Sequence, residues 1–210
     1  MSMIGDNDLF IFDWDGTLST STLIVAASRL LTRRYDPEYI KRNEARYKSI
    51  VRNVRIDETR SRELAWLYDT YVRVFPPRLK EGAVDLLRHL RRKRKTIALF
   101  SDSKSYRLTA ELRMLRVFDY FDFVLSASSI GRYKPDPTGI LAIVDRFGKD
   151  KKRCVYLGDT ASDTLAARFA GINACAIGGG LEPYQKLVSV RPDYIYRDLG
   201  GILAGAVRSR

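Results

Sequence analysis

The chain has 210 residues, of which 45% are hydrophobic and 30% are charged, a composition typical of a globular protein and not of a disordered or fibrous one. Its formal net charge of +12 is compatible with two interpretations, a solvated basic surface or an attraction for anionic ligands. No apolar run reaches the length of about 18 residues that a transmembrane helix needs, and the N-terminal residues lack the pattern of a secretory signal, so we expect a cytoplasmic protein.

The first predicted element is a buried strand over residues 8–13, a short apolar run that ends in aspartate. A long helical stretch without a good strand pattern follows and ends at Pro76-Pro77. Apolar residues recur within it at helical spacing: Leu64, Leu67, Tyr68, Tyr71 and Phe75. We interpret residues 19–78 as a helical cap inserted between the first strand and the rest of the core.

Strands and helices alternate over the remainder of the chain. Further apolar runs predict strands at Thr96–Phe100, Phe121–Leu125, Cys154–Leu157 and Asn173–Ile177, with a weaker one at Tyr194–Tyr196. Periodicity and capping signals predict helices at Glu81–Arg94, Ser105–Leu115, Asp136–Phe147 and Ala161–Ala170. The alternation predicts an α/β fold, a Rossmann-like doubly wound parallel sheet built from residues 1–18 and 79–210.

Polar residues stand at the carboxyl ends of several predicted strands, where open parallel sheets bind their ligands. Asp13 and Asp15 follow the first strand, and Gly16 allows the tight turn that would bring both into one pocket. A carboxylate can attack phosphorus, while a second carboxyl group protonates the leaving oxygen and then activates water. The pair therefore predicts phosphate chemistry, with Asp13 as nucleophile and Asp15 as general acid and base.

Other strand ends can supply what two acids beside a phosphate require. Both carboxylates would repel the phosphate, so a divalent cation and a lysine are needed to offset the charge. Asp159 and Asp163 can form an oxygen-only metal site of the kind that suits Mg²⁺. Lys134 can provide the fixed positive charge, and Ser101 can donate a hydrogen bond to a phosphate oxygen.

These residues resemble the four motifs of the haloacid dehalogenase-like hydrolase superfamily, in order, over about residues 8–200. The motifs are Asp13-Trp14-Asp15-Gly16-Thr17-Leu18, then Ser101 after an apolar strand, then Lys134, and finally Gly158-Asp159 with Asp163. The predicted insert is similar to the cap that this superfamily places after its first motif. The resemblance implies the same fold that the alternation of elements predicts.

The resemblance also implies a role for each acid. Asp13 resembles the nucleophile, and its second oxygen would bind Mg²⁺ together with the backbone carbonyl of Asp15 and the side chain of Asp159. Asp15 resembles the general acid and base. Because dehalogenases of this superfamily lack an acid at the position of Asp15, its presence favours phosphate chemistry over dehalogenation.

The remaining motif residues are implied to bind or support the phosphate. Ser101 and Lys134 resemble the phosphate-binding pair, and Asp163 resembles a residue that supports the metal or Lys134. Gly16 and Thr17 complete the first motif as supporting residues.

The chain departs from the superfamily pattern at two places. Asp102 stands where asparagine is common, which adds a negative charge near the expected phosphate site. The segment Ser19–Thr22 lacks the Asp-Ser pair of relatives similar to phosphoglycolate phosphatase, so it argues against a close relationship to that enzyme.

We therefore expect a Mg²⁺-dependent phosphatase that hydrolyses a small phosphorylated metabolite through a phospho-aspartyl intermediate. The alternatives are a phosphomutase, a phosphonate or pyrophosphate hydrolase of the same superfamily, and a non-catalytic protein that binds anions or nucleic acid. No membrane association is expected. Nucleic acid is an unlikely partner, because the basic run Arg91–Lys95 has no interleaved aromatic residues. The sequence leaves the oligomeric state open.

Overall fold

The computed structural model of the protein describes residues 2–20 and 76–208. The predicted helices of the cap, with the apolar face from Leu64 to Phe75, lie outside these described residues. The division into a core and a cap over residues 19–78 therefore stays a prediction.

Six strands and eight α-helices make up the described part of the chain, numbered here in chain order. The strands are β1 (Leu9–Phe12), β2 (Thr96–Ser101), β3 (Phe123–Ser126), β4 (Cys154–Gly158), β5 (Asn173–Ile177) and β6 (Tyr194–Tyr196). The helices are α1 (Met3–Asp6), α2 (Ala83–Arg92), α3 (Ser105–Met114), α4 (Ala127–Ile130), α5 (Thr138–Phe147), α6 (Ala161–Ala170), α7 (Tyr184–Ser189) and α8 (Leu199–Arg208). None of the described helices combines the length and the apolar character that crossing a bilayer requires.

The strands form one parallel sheet in the order β3-β2-β1-β4-β5-β6. The chain winds outward from β1 in both directions, so the order changes sense between β1 and β4, and the predicted doubly wound parallel sheet is confirmed. Phe12, the last residue of β1, lies opposite Leu99 of β2 and Leu157 of β4. This register brings the segments that follow β1, β2 and β4 to the same edge of the sheet.

Both faces of the sheet are buried, which explains why its strands are continuous apolar runs. In β1, Phe10 and Phe12 pack into one core cluster, together with residues of α2, α3 and α8. Leu9 and Ile11 pack into a second cluster, together with residues of α5 and α6. The two layers of helices therefore hold β1 at the centre of the sheet.

Boundaries differ from the predicted ones where a side chain interrupts the regular backbone. The third strand begins at Phe123, two residues later than predicted. The reason is Asp122, whose carboxylate accepts a hydrogen bond from the backbone N–H of Ile97 at 2.9 Å. The helix predicted to begin at Asp136 begins at Thr138, although the Asp136 side chain still accepts a hydrogen bond from the Thr138 N–H at 2.9 Å.

Two short segments beside the undescribed residues pair with one another. The backbone N–H of Thr20 donates to the Arg78 carbonyl at 2.8 Å, and the N–H of Lys80 donates to the Leu18 carbonyl at 2.9 Å. Ser19 and Leu79 form an antiparallel bridge between these bonds. The chain therefore leaves and re-enters the described core through adjacent, hydrogen-bonded segments.

Cys154 and Cys175 lie in central strands and are both buried and free, as their apolar surroundings predict. Burial raises the pKa of the Cys154 thiol to about 11, and it raises the pKa of Cys175 further above its ordinary value. Neither thiol is activated as a nucleophile, because the reactive thiolate form is disfavoured at both.

Candidate active site

Asp13 lies one residue beyond β1, in the middle of the carboxyl edge of the sheet. Its backbone N–H donates to the Leu157 carbonyl at 2.8 Å, which fixes the chain against β4 at this point. The side chain is fully buried, and its Oδ1 lies 2.7 Å from Nζ of Lys134. The structure thus places the predicted nucleophile in contact with the predicted phosphate-binding lysine, although the two lie 121 positions apart in the sequence.

Lys134 sits between two acids. Its Nζ is also 2.7 Å from Oδ1 of Asp163, and it lies 5.6 Å from the ring centre of Tyr156. Burial alone would lower the pKa of Lys134, but the carboxylates of Asp13 and Asp163 outweigh it and hold the pKa well above its ordinary value. The lysine therefore carries its positive charge at any physiological pH.

Asp159 follows β4 and is held by neighbours from two other loops. Its Oδ1 accepts a hydrogen bond from Oγ1 of Thr17 at 3.0 Å, and its Oδ2 accepts one from the backbone N–H of Leu181 at 2.6 Å. Gly16 lies directly against this carboxylate: a Cβ at Gly16 would come within 2.2 Å of Oδ2, and its φ of +84° also favours glycine. Gly16 and Thr17 thus support the position of Asp159.

Asp163 is oriented by the beginning of α6. It forms a capping box with Thr160, and its Oδ2 accepts hydrogen bonds from the Thr160 N–H at 2.9 Å and from the Asp159 N–H at 3.1 Å. The other oxygen, Oδ1, faces Lys134. Asp163 is therefore well placed to hold Lys134, which is one of the two supporting roles expected from the sequence.

The carboxylates of Asp13, Asp159 and Asp163 form a cluster suited to a metal ion. One oxygen from each lies within 4.8 Å of the others, and all three residues are buried. Buried acids that outnumber their neighbouring cations repel one another, and a divalent cation would relieve that repulsion. A set of carboxylate oxygens also has the ligand chemistry that Mg²⁺ prefers. The residues present therefore fit the magnesium site expected from the sequence.

Asp15, the predicted general acid and base, lies outside this cluster and is bound by residues that the sequence analysis missed. Both of its carboxylate oxygens face Arg107 of α3, with the contact from Nη1 to Oδ2 at 3.0 Å. The hydroxyl of Ser103 also donates to Asp15 Oδ2, at 2.5 Å. The spacing of Arg107 and Glu111 indicates a salt bridge along one helix, but such pairs are common on helix surfaces and do not identify a site.

Ser101, the last residue of β2, is buried next to the Ser103 hydroxyl that binds Asp15. Its Oγ donates to Oγ of Ser103 at 3.1 Å. The neighbouring Asp102 accepts a hydrogen bond from the backbone N–H of Lys134 at 3.1 Å. The additional acid in the second motif therefore anchors the loop that carries Lys134.

Lys80 is a further positively charged residue that the sequence analysis missed. Its Nζ donates to the carbonyl oxygens of Gly16 at 2.9 Å and Gly178 at 3.3 Å. Partial burial lowers the pKa of Lys80, while Asp159 and Asp198 act in the opposite direction. No motif surrounds Lys80 in the sequence, so no signal in the sequence identified it.

Buried acids and a charged lysine gathered at the carboxyl edge of a doubly wound sheet are features of an α/β enzyme. The family model described as haloacid dehalogenase-like hydrolase matches residues 7–171, and the chain belongs to this family. The resemblance noted from the four motifs is thereby confirmed.

Relatives of similar length carry phosphatase names. Pyrophosphatase PpaX from Oceanobacillus iheyensis is 22% identical over 205 residues, which cover 92% of this chain and 94% of that protein. Phosphoglycolate phosphatase from Aquifex aeolicus is 27% identical, with 89% of this chain and 90% of that protein covered.

Some matches are partial, and the structural matches are remote in sequence. For phosphoglycolate phosphatase from Pseudomonas putida, 24% identical, the match covers 59% of this chain and 46% of that protein, so the chain spans about half the length of several curated relatives. The structure of a hydrolase of the same superfamily from Ehrlichia chaffeensis has a TM-score of 0.63 at 20% identity, with 99% and 98% of the two chains covered. Such a likeness supports the fold alone.

Proposed function

We propose that this chain is a Mg²⁺-dependent phosphatase that hydrolyses small phosphomonoesters through a phosphorylated Asp13. The observation that carries the proposal is the contact between the fully buried Asp13 carboxylate and the charged Lys134, beside two further acids. A structural ion pair has no need of the additional acids, whereas phosphoryl transfer needs both a nucleophile and compensation of charge.

The first half-reaction uses Asp13 and Asp15. An oxygen of Asp13 attacks the phosphorus, the bond to the ester oxygen breaks, and Asp15 protonates the leaving oxygen. Lys134 compensates the negative charge of the transferring phosphoryl group, and Ser101 donates a hydrogen bond to one of its oxygens. In the second half-reaction Asp15 takes a proton from a water molecule, which attacks the phosphorus and releases Asp13.

Asp13, Asp159 and the backbone carbonyl of Asp15 would hold the Mg²⁺ ion, in keeping with the acid cluster described above. When bound, the ion supplies positive charge next to the phosphoryl oxygens. Asp163 keeps Lys134 oriented, and Thr17 and Gly16 keep Asp159 oriented, so each predicted supporting residue has a defined neighbour.

Pyrophosphate is the second candidate substrate, because the relative named pyrophosphatase matches over nearly the full length of both chains. The same residues could transfer a phosphoryl group from pyrophosphate, with phosphate as the leaving group. A phosphomutase or a phosphonate hydrolase would also use these residues and would differ in product or substrate.

A substrate panel tests the proposal. The purified chain is incubated with MgCl₂ and small alkyl phosphates, sugar phosphates, pyrophosphate or a phosphonate, and the release of inorganic phosphate is measured. We expect phosphate release from monoesters that stops when EDTA removes the metal. Hydrolysis of pyrophosphate alone would favour the second candidate, isomerised sugar phosphate would indicate a mutase, and no turnover of any compound would refute the proposal.

A further inference from the structure

The carboxylate of Asp15 is held by a two-pronged contact that no motif predicts. Nη1 and Nη2 of Arg107 approach its two oxygens, and Ser103 adds a third donor at 2.5 Å. The Asp15 side chain is 1% exposed and that of Arg107 is 11% exposed, so the pair is largely removed from water. A paired guanidinium and carboxylate in this geometry fix each other's orientation more tightly than a lysine could.

Arg107 is itself held in place by a second acid, Glu111. Its Nε donates to Oε1 of Glu111 at 2.9 Å, and Glu111 is fully buried. The other oxygen of Glu111 accepts a hydrogen bond from the indole Nε1 of Trp14 at 2.5 Å. Trp14 is the residue between the two acids of the first motif, so the network begins and ends on the same loop.

The network also reaches the predicted phosphate-binding residue. Nη1 of Arg107 donates to Oγ of Ser103 at 2.9 Å, and that hydroxyl lies between Asp15 and Ser101. The Asp15 carboxylate is therefore two hydrogen bonds from Ser101. Arg107 thus contacts both Asp15 and the Ser103 hydroxyl that links Asp15 to Ser101.

We propose that Arg107 is a positioning residue for the reaction, because its contact with both oxygens of Asp15 fixes the orientation of the carboxyl group that exchanges the proton. The inference rests on the proposed function. Arg107 does not touch the reacting atoms in this arrangement; it acts through Asp15, and Glu111 and Trp14 keep it in place.

The consequence depends on the leaving group. An alkoxide leaves poorly unless it is protonated, whereas p-nitrophenolate leaves readily without a proton. Losing the orientation of Asp15 should therefore impair phosphorylation of Asp13 by an alkyl phosphate much more than by p-nitrophenyl phosphate, whereas the second half-reaction is common to both substrates. A general loss of folding or of substrate binding would impair both to the same extent.

The test compares kcat/KM for the two substrates, which reports only the steps through phosphorylation of Asp13, in Arg107→Met, Arg107→Lys, Asp15→Asn and the double variant Asp15→Asn/Arg107→Met. We expect Arg107→Met to lower kcat/KM for the alkyl phosphate by about 10²-fold, the contribution typical of a positioned proton donor, with a much smaller effect on p-nitrophenyl phosphate. Arg107→Lys should recover part of the loss. The double variant should be no slower than Asp15→Asn, because residues that act as a unit are not additive.

Arg113→Met is the matched control, since Arg113 lies on the same helix with an exposed side chain and should leave both rates unchanged. If Arg107→Met does not fold, Arg107→Met/Glu111→Gln replaces it. In that variant an amide replaces the Glu111 carboxylate, which would otherwise stay charged and buried without the Arg107 guanidinium. The amide oxygen can still accept the hydrogen bond from the Trp14 indole.

Equal losses on the two substrates, or a double variant slowed by the product of the single effects, would overturn the role of Arg107 while leaving the phosphatase proposal intact. Absence of Mg²⁺-dependent hydrolysis in the unmodified protein would instead overturn the proposed function, and this inference with it.

Discussion

Two aspartates flank the central strand β1, and their surroundings differ in both burial and charge. Asp8 precedes the strand at the amino edge of the sheet and is one-third exposed. It contacts two cations, Lys95 at 3.2 Å and Arg153 at 2.5 Å. At this end of the strand, one acid contacts two cations and is partly exposed to solvent.

Asp13 follows the same strand at the carboxyl edge and is fully buried. It shares Lys134 with Asp163, and Asp159 completes the cluster of acids within 4.8 Å. Here the acids outnumber the lysine in contact with them, in a region with little water to screen their repulsion. The comparison shows that Asp8 at the amino edge is already paired with cations of the protein, whereas the acids at the carboxyl edge have the charge and the geometry to bind a further cation.

Replacing Asp13 and Asp8 in turn by asparagine tests this comparison most directly. Asp13→Asn should lower phosphatase kcat on the order of 10⁴-fold or more, because an amide cannot form the acyl phosphate. Asp8→Asn, the matched control at the other end of β1, should retain kcat. Steady-state hydrolysis of an aryl phosphate measures both, and full activity of Asp13→Asn would rule out the nucleophile.

The shared lysine offers the next largest effect. Lys134→Met leaves two buried carboxylates without their cation, which should destabilise the metal-free protein by about 3–5 kcal/mol. It should also lower kcat by about 10²–10³-fold through loss of transition-state stabilisation. Thermal unfolding with and without MgCl₂ provides the check: Mg²⁺ should raise the melting temperature of this variant more than that of the unmodified protein. An equal increase would argue against a metal beside Lys134.

A smaller effect is expected from the residue that orients Asp159. Thr17→Val removes the hydroxyl that donates to Asp159 Oδ1 at 3.0 Å. Residues that orient metal ligands typically contribute about 10–100-fold to metal affinity. The Mg²⁺ concentration for half-maximal activity should therefore rise by that factor, while Thr96→Val, at the amino end of β2, should not change it.

The smallest effect concerns the stability contributed by Asp8. Hydrogen bonding to Arg153, reinforced by Lys95, holds the pKa of Asp8 well below its ordinary value. A carboxyl group whose folded-state pKa is depressed stabilises the fold above its unfolded pKa of about 4, and that contribution is lost as the pH falls through the folded-state value. Near neutral pH, Asp8→Asn should lower the melting temperature by only about 2 °C, because exposed ion pairs are weak.

Thermal unfolding of both proteins across a pH series tests this last expectation. The difference between them should be constant from neutral pH down to about pH 5 and should shrink in more acidic solution. A difference that grew with acidification would contradict the assigned sign.

Much of the sheet could be predicted from the sequence, because strands buried on both faces are continuous apolar runs. All six strands lie at or near the predicted positions, including the weak one at Tyr194–Tyr196. The short helices Ala127–Ile130 and Tyr184–Ser189 were not predicted, because they are too short to show a helical period. The start of β3 was placed two residues too early, because the Asp122 side chain accepts a hydrogen bond from the Ile97 N–H, a tertiary contact.

The sequence by itself determined the fold class, the family and the set of acids at the strand ends, since local apolar runs and short motifs encode them. The tertiary structure decided which charges meet. It placed Lys134 between Asp13 and Asp163, and it brought Arg107 of α3 to Asp15. Such partners are separated by up to 121 positions in the chain, and only the register and winding of the sheet bring them within hydrogen-bonding distance.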